Sequence, residues 1–257
     1  MANLRGAERA RYVQEMFERI APRYDLMNRI MTAGQDIRWR KAVIQRAAPP
    51  PEGLLLDLGA GTGDLGGAAL EFEPTLHVIA ADFSLEMMQA GKVRRSGKVR
   101  RSGKVQQAGM SCQGHDPASD SRLSWSGADA ACLPFPDQSF DAVVSAFLLR
   151  NVSDLPRCLA EGYRVLRPGG RIVALETAPL PRSPLAPLLR FHLQTVIPAL
   201  GRLVAGQAEA YRYLPDSTEG FLEPEQLAAR LIAAGFQGVG FERLMLGAVA
   251  IHWGKRV

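Results

Sequence analysis

Apolar residues along the chain follow two alternating rhythms. Short continuous runs occur at Leu54-Leu55-Leu56-Asp57-Leu58, His77 to Ala81, Phe140 to Phe147 and Arg171 to Glu176. Runs of this length with few polar breaks predict strands of a parallel sheet covered on both faces. Between them, Asp64 to Phe72 and Leu155 to Leu166 have helical spacing, and Pro168-Gly169-Gly170 closes the second of these. Ser84 to Ala90 begins another helix, with Ser84 as N-cap and Glu86 in its first turn. Residues 8–47 read as helical, with Tyr12, Val13, Met16, Phe17 and Ile20 in register and Pro22 as an interruption. Beyond the strands come a Pro-broken apolar stretch from Leu180 to Val204, a helix at Glu225–Ala234, and strand-like runs at Val239–Leu244 and Val249–Trp253. The alternation predicts a single α/β domain. Its sheet is doubly wound and mostly parallel, with a C-terminal antiparallel edge hairpin and a ligand site at the carboxyl ends of the strands.

Charge changes the picture in one place. The net charge of +5 suggests an anionic partner, but residues 91–105 read GKVRRSGKVRRSGKV, a six-residue unit repeated and then begun again. Seven of the 31 Lys and Arg lie there, so the remaining 24 face 26 Asp and Glu and the body is near neutral. Nucleic acid is therefore not an expected partner, and no Asn/Asp-Pro-Pro-Tyr base-methylation motif is present. The repeat and the polar run after it predict a flexible basic insertion at 91–122, and deleting Gly91–Val105 should spare the fold. No apolar run is long enough to span a bilayer, and the first residues lack a secretory h-region, so a cytoplasmic location is expected. Cys112, Cys132 and Cys158 give neither a disulfide framework nor a metal-ligand pattern.

The first strand runs into Asp57-Leu58-Gly59-Ala60-Gly61-Thr62-Gly63-Asp64. Three alternate glycines allow a tight turn close to a ligand. A dinucleotide loop would carry G-x-G-x-x-G and present a helix N-terminus to a pyrophosphate. Here the third glycine comes one residue early and carboxylates flank the loop. Acids there repel a pyrophosphate and suit an ammonium and a sulfonium, which favours S-adenosylmethionine over NAD. Asp82, ending the second strand, is placed to accept both ribose hydroxyls. Asp129 is expected to receive the adenine amino group, with the Ala130 N–H directed at the ring. Asp57, Gly59, Gly61, Thr62, Gly63, Asp82, Asp129 and Ala130 form the expected cofactor set.

Four further stretches carry a family resemblance. They are Tyr24-Asp25-Leu26-Met27-Asn28 with Trp39, then Leu133-Pro134-Phe135-Pro136-Asp137 with Phe140-Asp141 and Leu149-Arg150-Asn151-Val152, then Arg164 to Gly170 with Glu176, and finally Tyr211-Arg212-Tyr213-Leu214 with Gly247 to His252. Together they resemble the C-methyltransferases of menaquinone and ubiquinone biosynthesis over nearly the whole chain apart from 91–122. The family has Ser and His where this chain has Thr32 and Asp36, and Ser where it has Ala178.

The resemblance implies a Rossmann-like class I methyltransferase fold and C-methylation of demethylmenaquinol, with a ubiquinone-precursor benzoquinol as the alternative. It also implies that Arg150 and Asn151, with Tyr24 nearby, face a prenylated quinol. A guanidinium stays protonated, so Arg150 is expected to lower the quinol pKa or relay a proton through water. His192, in an apolar stretch, and His252, at the end of the last strand, are the alternative bases. The apolar residues of 185–204 are expected either to pack a core or to meet the prenyl tail and the inner face of the membrane, as a peripheral contact. A homodimer is compatible with all of this.

Overall fold

The computed structural model describes residues 13–101 (except 14, 22, 23 and 33), 122–180, 195 and 217–257. The expectations placed on His192, on most of 185–204 and on Tyr211 to Leu214 lie outside these residues. Helical residues 15–20 lead to α1 (Tyr24–Met31) and α2 (Asp36–Ala47). The core alternates β1 (Leu54–Leu58), α3 (Asp64–Phe72), β2 (His77–Asp82), α4 (Leu85–Arg101), β3 (Leu123–Gly127), β4 (Phe140–Ala146), α5 (Leu155–Val165) and β5 (Leu166–Thr177). Helix α6 (Pro224–Ala233), β6 (Gln237–Leu244) and β7 (Val249–Lys255) follow. The seven strands lie in the order β3-β2-β1-β4-β5-β7-β6. The first five are parallel, and β7 runs antiparallel between β5 and β6. This is the doubly wound sheet with an antiparallel edge that the sequence pattern predicts.

The leucine run of β1 shows why both faces matter. Leu55 joins a cluster with Trp39, Val43, Ile44, Leu65 and Ala69, beneath α2 and α3. Leu56 points the other way, to Leu159, Leu227 and Leu231 of α5 and α6. Both leucines are wholly buried, and each contributes about 1.5–3 kcal/mol by leaving water. With β1 fixed in this way, the turn after Leu58 sits at the carboxyl edge, between β2 and β4.

Three elements differ from the pattern. Strand β3, with the sequence LSWSG, has only two apolar side chains, and its polar alternation hides it. Strand β5 does not wait for Pro168-Gly169-Gly170 to end. It begins at Leu166 and carries those residues as a bulge, with the pairing to β4 shifting between Leu166 and Arg171. Most importantly, α4 does not stop at Ala90. The Gly91–Arg101 part of the basic segment is helical, so the expected flexible insertion does not begin at 91. The physical reason is tertiary packing. A Cβ on Gly91 would lie 2.5 Å from the Thr62 carbonyl oxygen, so the helix runs directly against the glycine loop. Residues 102–121 lie outside the described residues.

Candidate functional site at the carboxyl edge of β1, β2 and β4

The loop after β1 is anchored from behind. The Gly59 and Ala60 N–H groups both donate to Ala81 O at the end of β2, at 2.8 and 3.0 Å. Gly61 N–H donates to Asp82 Oδ2 at 2.7 Å, and Gly63 N–H to Ala60 O at 2.8 Å. Gly63 has φ +74°, and a Cβ there would meet the Trp125 ring at 2.5 Å, so glycine is required on both grounds. These four loop N–H groups are thus engaged within the protein and not offered to an anion. The first turn of α3 follows suit, with Gly66 N–H donating to Asp57 Oδ2 at 2.8 Å and Gly67 N–H donating to Gly63 O at 2.9 Å.

The acids occupy the positions that the sequence suggests. Asp57 is 1% exposed, and burial pushes its carboxyl from 3.8 up to about 7 against the Gly66 hydrogen bond. Asp82 accepts Gly61 N–H on one oxygen and Ser84 N–H on the other, at 2.8 Å, and burial raises its pKa as well. Ser84 caps α4 as expected, its Oγ accepting Met87 N–H at 3.3 Å. The segment after β3 is tied to this edge through Ala128 N–H, which donates to Asp82 O at 3.0 Å. That bond brings Asp129 and Ala130 beside Asp82. Asp129 is exposed and turns back to accept Ala131 N–H at 2.9 Å, while Ala130 is buried.

Asp57 gives a pH dependence of known sign. The folded carboxyl holds its proton up to about pH 7, whereas the unfolded one ionises near 3.8. Folding therefore takes up a proton between these values. The contribution of Asp57 to stability is complete below about pH 4 and is lost as pH rises toward 7. In urea titrations the stability of wild type minus that of Asp57→Asn should fall with a slope of up to about 1.4 kcal/mol per pH unit in this interval, then flatten. A difference that does not vary with pH would refute the burial argument.

An ion-pair chain lies behind the loop and explains two departures from the family pattern. Thr32 Oγ1 donates to Asp36 Oδ1 at 3.1 Å, and Asp36 Oδ2 lies 2.9 Å from Arg40 Nη1. The same Arg40 atom is 2.9 Å from Asp64 Oδ2 at the start of α3. Thr32 and Asp36 thus form a matched pair, and the buried Asp36 carboxylate is held by the cation next to it.

The exit of β4 forms the second half of the site. Phe147 adopts φ +60°, a strained conformation for a bulky side chain, and its carbonyl accepts Asn151 Nδ2 at 3.0 Å. The Arg150 guanidinium lies 5.5 Å from the Phe147 ring centre. Arg150 is only 5% exposed, and its Nη1 donates to Glu176 Oε1, while Arg150 N–H donates to Glu176 Oε2 at 3.2 Å. Arg150 is therefore not a lone cation facing a ligand but one half of a buried pair. It also borders a cavity of about 380 Å³ lined by Leu149, Val152, Asp154, Leu155 and Phe221. Leu148 joins the two halves, because a Cβ on Gly59 would lie 2.7 Å from its Cδ1. Tyr24 opens α1, and the next residue, Asp25, accepts the Thr62 hydroxyl at 2.7 Å.

The structure thus gathers Asp57, Gly59, Gly61, Thr62, Gly63 and Asp82 into one edge, with Asp129 and Ala130 alongside and Arg150 and Asn151 across Leu148. His252 sits apart, with Nε2 against Pro224 O at 3.0 Å and burial lowering its pKa to about 4, which marks it as structural. Sequence reasoning missed Glu176 as the partner of Arg150, and it missed Asp25. Both lie inside the resembling motifs, but nothing in their spacing reveals what they pair with.

With this geometry in place, comparison with known proteins is informative. The sequence model of the ubiE/COQ5 methyltransferase family matches residues 5–256. A Desulfotalea psychrophila protein named ubiquinone/menaquinone biosynthesis C-methyltransferase is 42% identical over 244 residues, covering 95% of this chain and 90% of that protein. A Thermus thermophilus protein named demethylmenaquinone methyltransferase is 42% identical over 241 residues, covering 94% and 100%. Among solved structures, an S-adenosylmethionine-dependent methyltransferase from Thermotoga maritima superposes with a TM-score of 0.58 at 18% identity, covering 95% of this chain and 100% of that one. That likeness concerns the fold alone.

Proposed function

Given that the chain belongs to the ubiE/COQ5 methyltransferase family, we propose that it C-methylates demethylmenaquinol to menaquinol, with S-adenosylmethionine as donor. The donor assignment is carried by one observation. At the glycine loop the Gly59, Ala60, Gly61 and Gly63 N–H groups are engaged internally, while the acidic side chains of Asp57 and Asp82 stand at the strand ends. This arrangement disfavours a phosphate and favours a cationic ligand with a diol. Each Asp82 oxygen accepts one backbone N–H and keeps acceptor capacity for a ribose hydroxyl. Gly59, Gly61, Thr62 and Gly63 shape the bed for the amino-acid end, and Asp129 and Ala130 recognise the adenine.

When bound, the donor supplies an electrophilic methyl group on a sulfonium. The chain must hold the quinol ring in line with that methyl group and ease loss of a hydroxyl proton, because the resulting quinolate enriches the adjacent carbon. We assign the ring to the cavity beside Leu149, Arg150 and Phe221, which has the size of a small-molecule site. Glu176 cancels the net charge of Arg150. The pair acts as an oriented dipole whose guanidinium end stabilises a developing quinolate without presenting a bare cation. Asn151 and Tyr24 orient the ring oxygens. A ubiquinone-precursor benzoquinol offers the same reacting carbon, and the name of the Desulfotalea relative covers both pathways.

Methyl-labelled S-adenosylmethionine with short-tailed demethylmenaquinol and, separately, the benzoquinol tests this reading. Label is expected on the naphthoquinol ring carbon. Label only on the benzoquinol would replace the substrate, and label on neither would overturn the activity.

A further inference from the structure

The proposed function leaves the GKVRRS repeat unused, and its first copy reaches the site. On α4, Arg94 Nη1 pairs with Asp25 of α1, and its Nη2 pairs with Asp64 of α3. The same Nη2 donates to Thr62 O at 3.1 Å. Thr62 Oγ1 in turn donates to Asp25 Oδ1 at 2.7 Å. One planar guanidinium thus bridges α1, the glycine loop and α3, and Arg40 continues the chain from Asp64 to Asp36 in α2. The Arg94 side chain is 27% exposed, with its carboxylates at 22% and 18%. These pairs therefore sit in a partly dry seam, where they are worth more than surface pairs. Gly91, three residues earlier, allows the approach, since any side chain there would strike the Thr62 carbonyl and Trp125.

We infer that Arg94 is a positioning residue that clasps α1 to the glycine loop and so sets how firmly the donor is held. The inference rests on the reading of that loop as the S-adenosylmethionine bed. Without the clasp, Asp25 loses its cation while Asp64 keeps Arg40, and α1, with Tyr24 at its start, is held to the loop less firmly, through the Thr62–Asp25 bond. A lysine can satisfy one carboxylate but not both in the same plane.

Two readouts on the full-length protein test this, with Arg95→Gln as control, since Arg95 lies over Gly67 and outside the clasp. In the ligand-free protein, Arg94→Gln should speed hydrogen exchange at 24–31 while β4 and β5 keep wild-type protection. In turnover, KM for S-adenosylmethionine should rise about tenfold with kcat changed less than about threefold, the pattern of lost binding rather than lost chemistry. Arg94→Lys should recover part of this. Asp25→Asn combined with Arg94→Gln should be no worse than the more damaging single change, because both break one unit. Exchange and KM indistinguishable from Arg95→Gln, or additive losses in the double variant, would overturn the clasp. Failure of the wild-type protein to bind S-adenosylmethionine would instead overturn the loop reading, and the exchange measurement would still decide the clasp.

Discussion

Replacing Glu176 with alanine should lower the unfolding free energy by about 3–5 kcal/mol, among the largest effects of any single change in this protein. The reason is the partner left behind. Glu176 is 1% exposed, and its Oε1 accepts Arg150 Nη1 and Thr177 N–H, the latter at 2.8 Å. Its Oε2 holds the Arg150 backbone N–H, so the carboxylate fixes both the charge and the chain at the exit of β4. Without it a guanidinium that cannot shed its proton remains in a dry site. Arg150→Ala should cost a similar amount for the mirror-image reason. The two roles of the pair separate in a double replacement. Arg150→Met with Glu176→Leu removes both charges at similar volume and should restore part of the stability, the remaining loss being the Arg150 and Thr177 N–H groups left without their acceptor. Methyl transfer should nonetheless stay down by on the order of 10²-fold, because the dipole facing the quinolate is gone. Urea unfolding and single-turnover methylation of the four proteins measure both quantities. If the double variant regains activity along with its fold, the pair is structural only and Arg150 takes no part in the chemistry.

Which parts of this arrangement were legible in the sequence depends on the distance over which each feature is decided. Strand β1 was legible because a run of leucines can only be buried on two faces at once. The glycine loop was legible because backbone geometry and flanking acids are local matters. The course of α4 was not. Gly and Ser in GKVRRS argue for a solvated loop, and only contact with Thr62, Trp125, Asp25 and Asp64 reverses that propensity. Strand β3 was hidden because Trp125 and Leu123 are its only large apolar residues and its partner strand supplies the rest. The Arg150–Glu176 pair joins residues 26 apart, one in the turn after β4 and the other in β5. Arg150 alone reads more readily as an ion-pair partner at a strand end than as a cation waiting for a ligand, but the sequence holds no rule that names the partner.

Asp82→Asn should weaken S-adenosylmethionine binding by about 3 kcal/mol, roughly a hundredfold, while leaving the fold nearly intact. The substitution keeps shape and volume, so any loss reports on hydrogen-bonding capacity and charge. Both carboxylate oxygens already accept a backbone N–H, from Gly61 at 2.7 Å and from Ser84 at 2.8 Å. An asparagine must set its NH₂ against one of these donors in either orientation, and the acceptor there is lost. The loop end at Gly61 or the start of α4 then shifts, and one of the two ribose hydroxyls loses its partner. Stability should fall little, because burial already disfavours the charged form of Asp82, and removing the charge relieves that penalty. Calorimetry with S-adenosylhomocysteine, alongside thermal melts without ligand, separates the two effects. An unchanged affinity would remove Asp82 from the donor site. An early melt with a proportionate loss of binding would mean that it serves only to pin the loop.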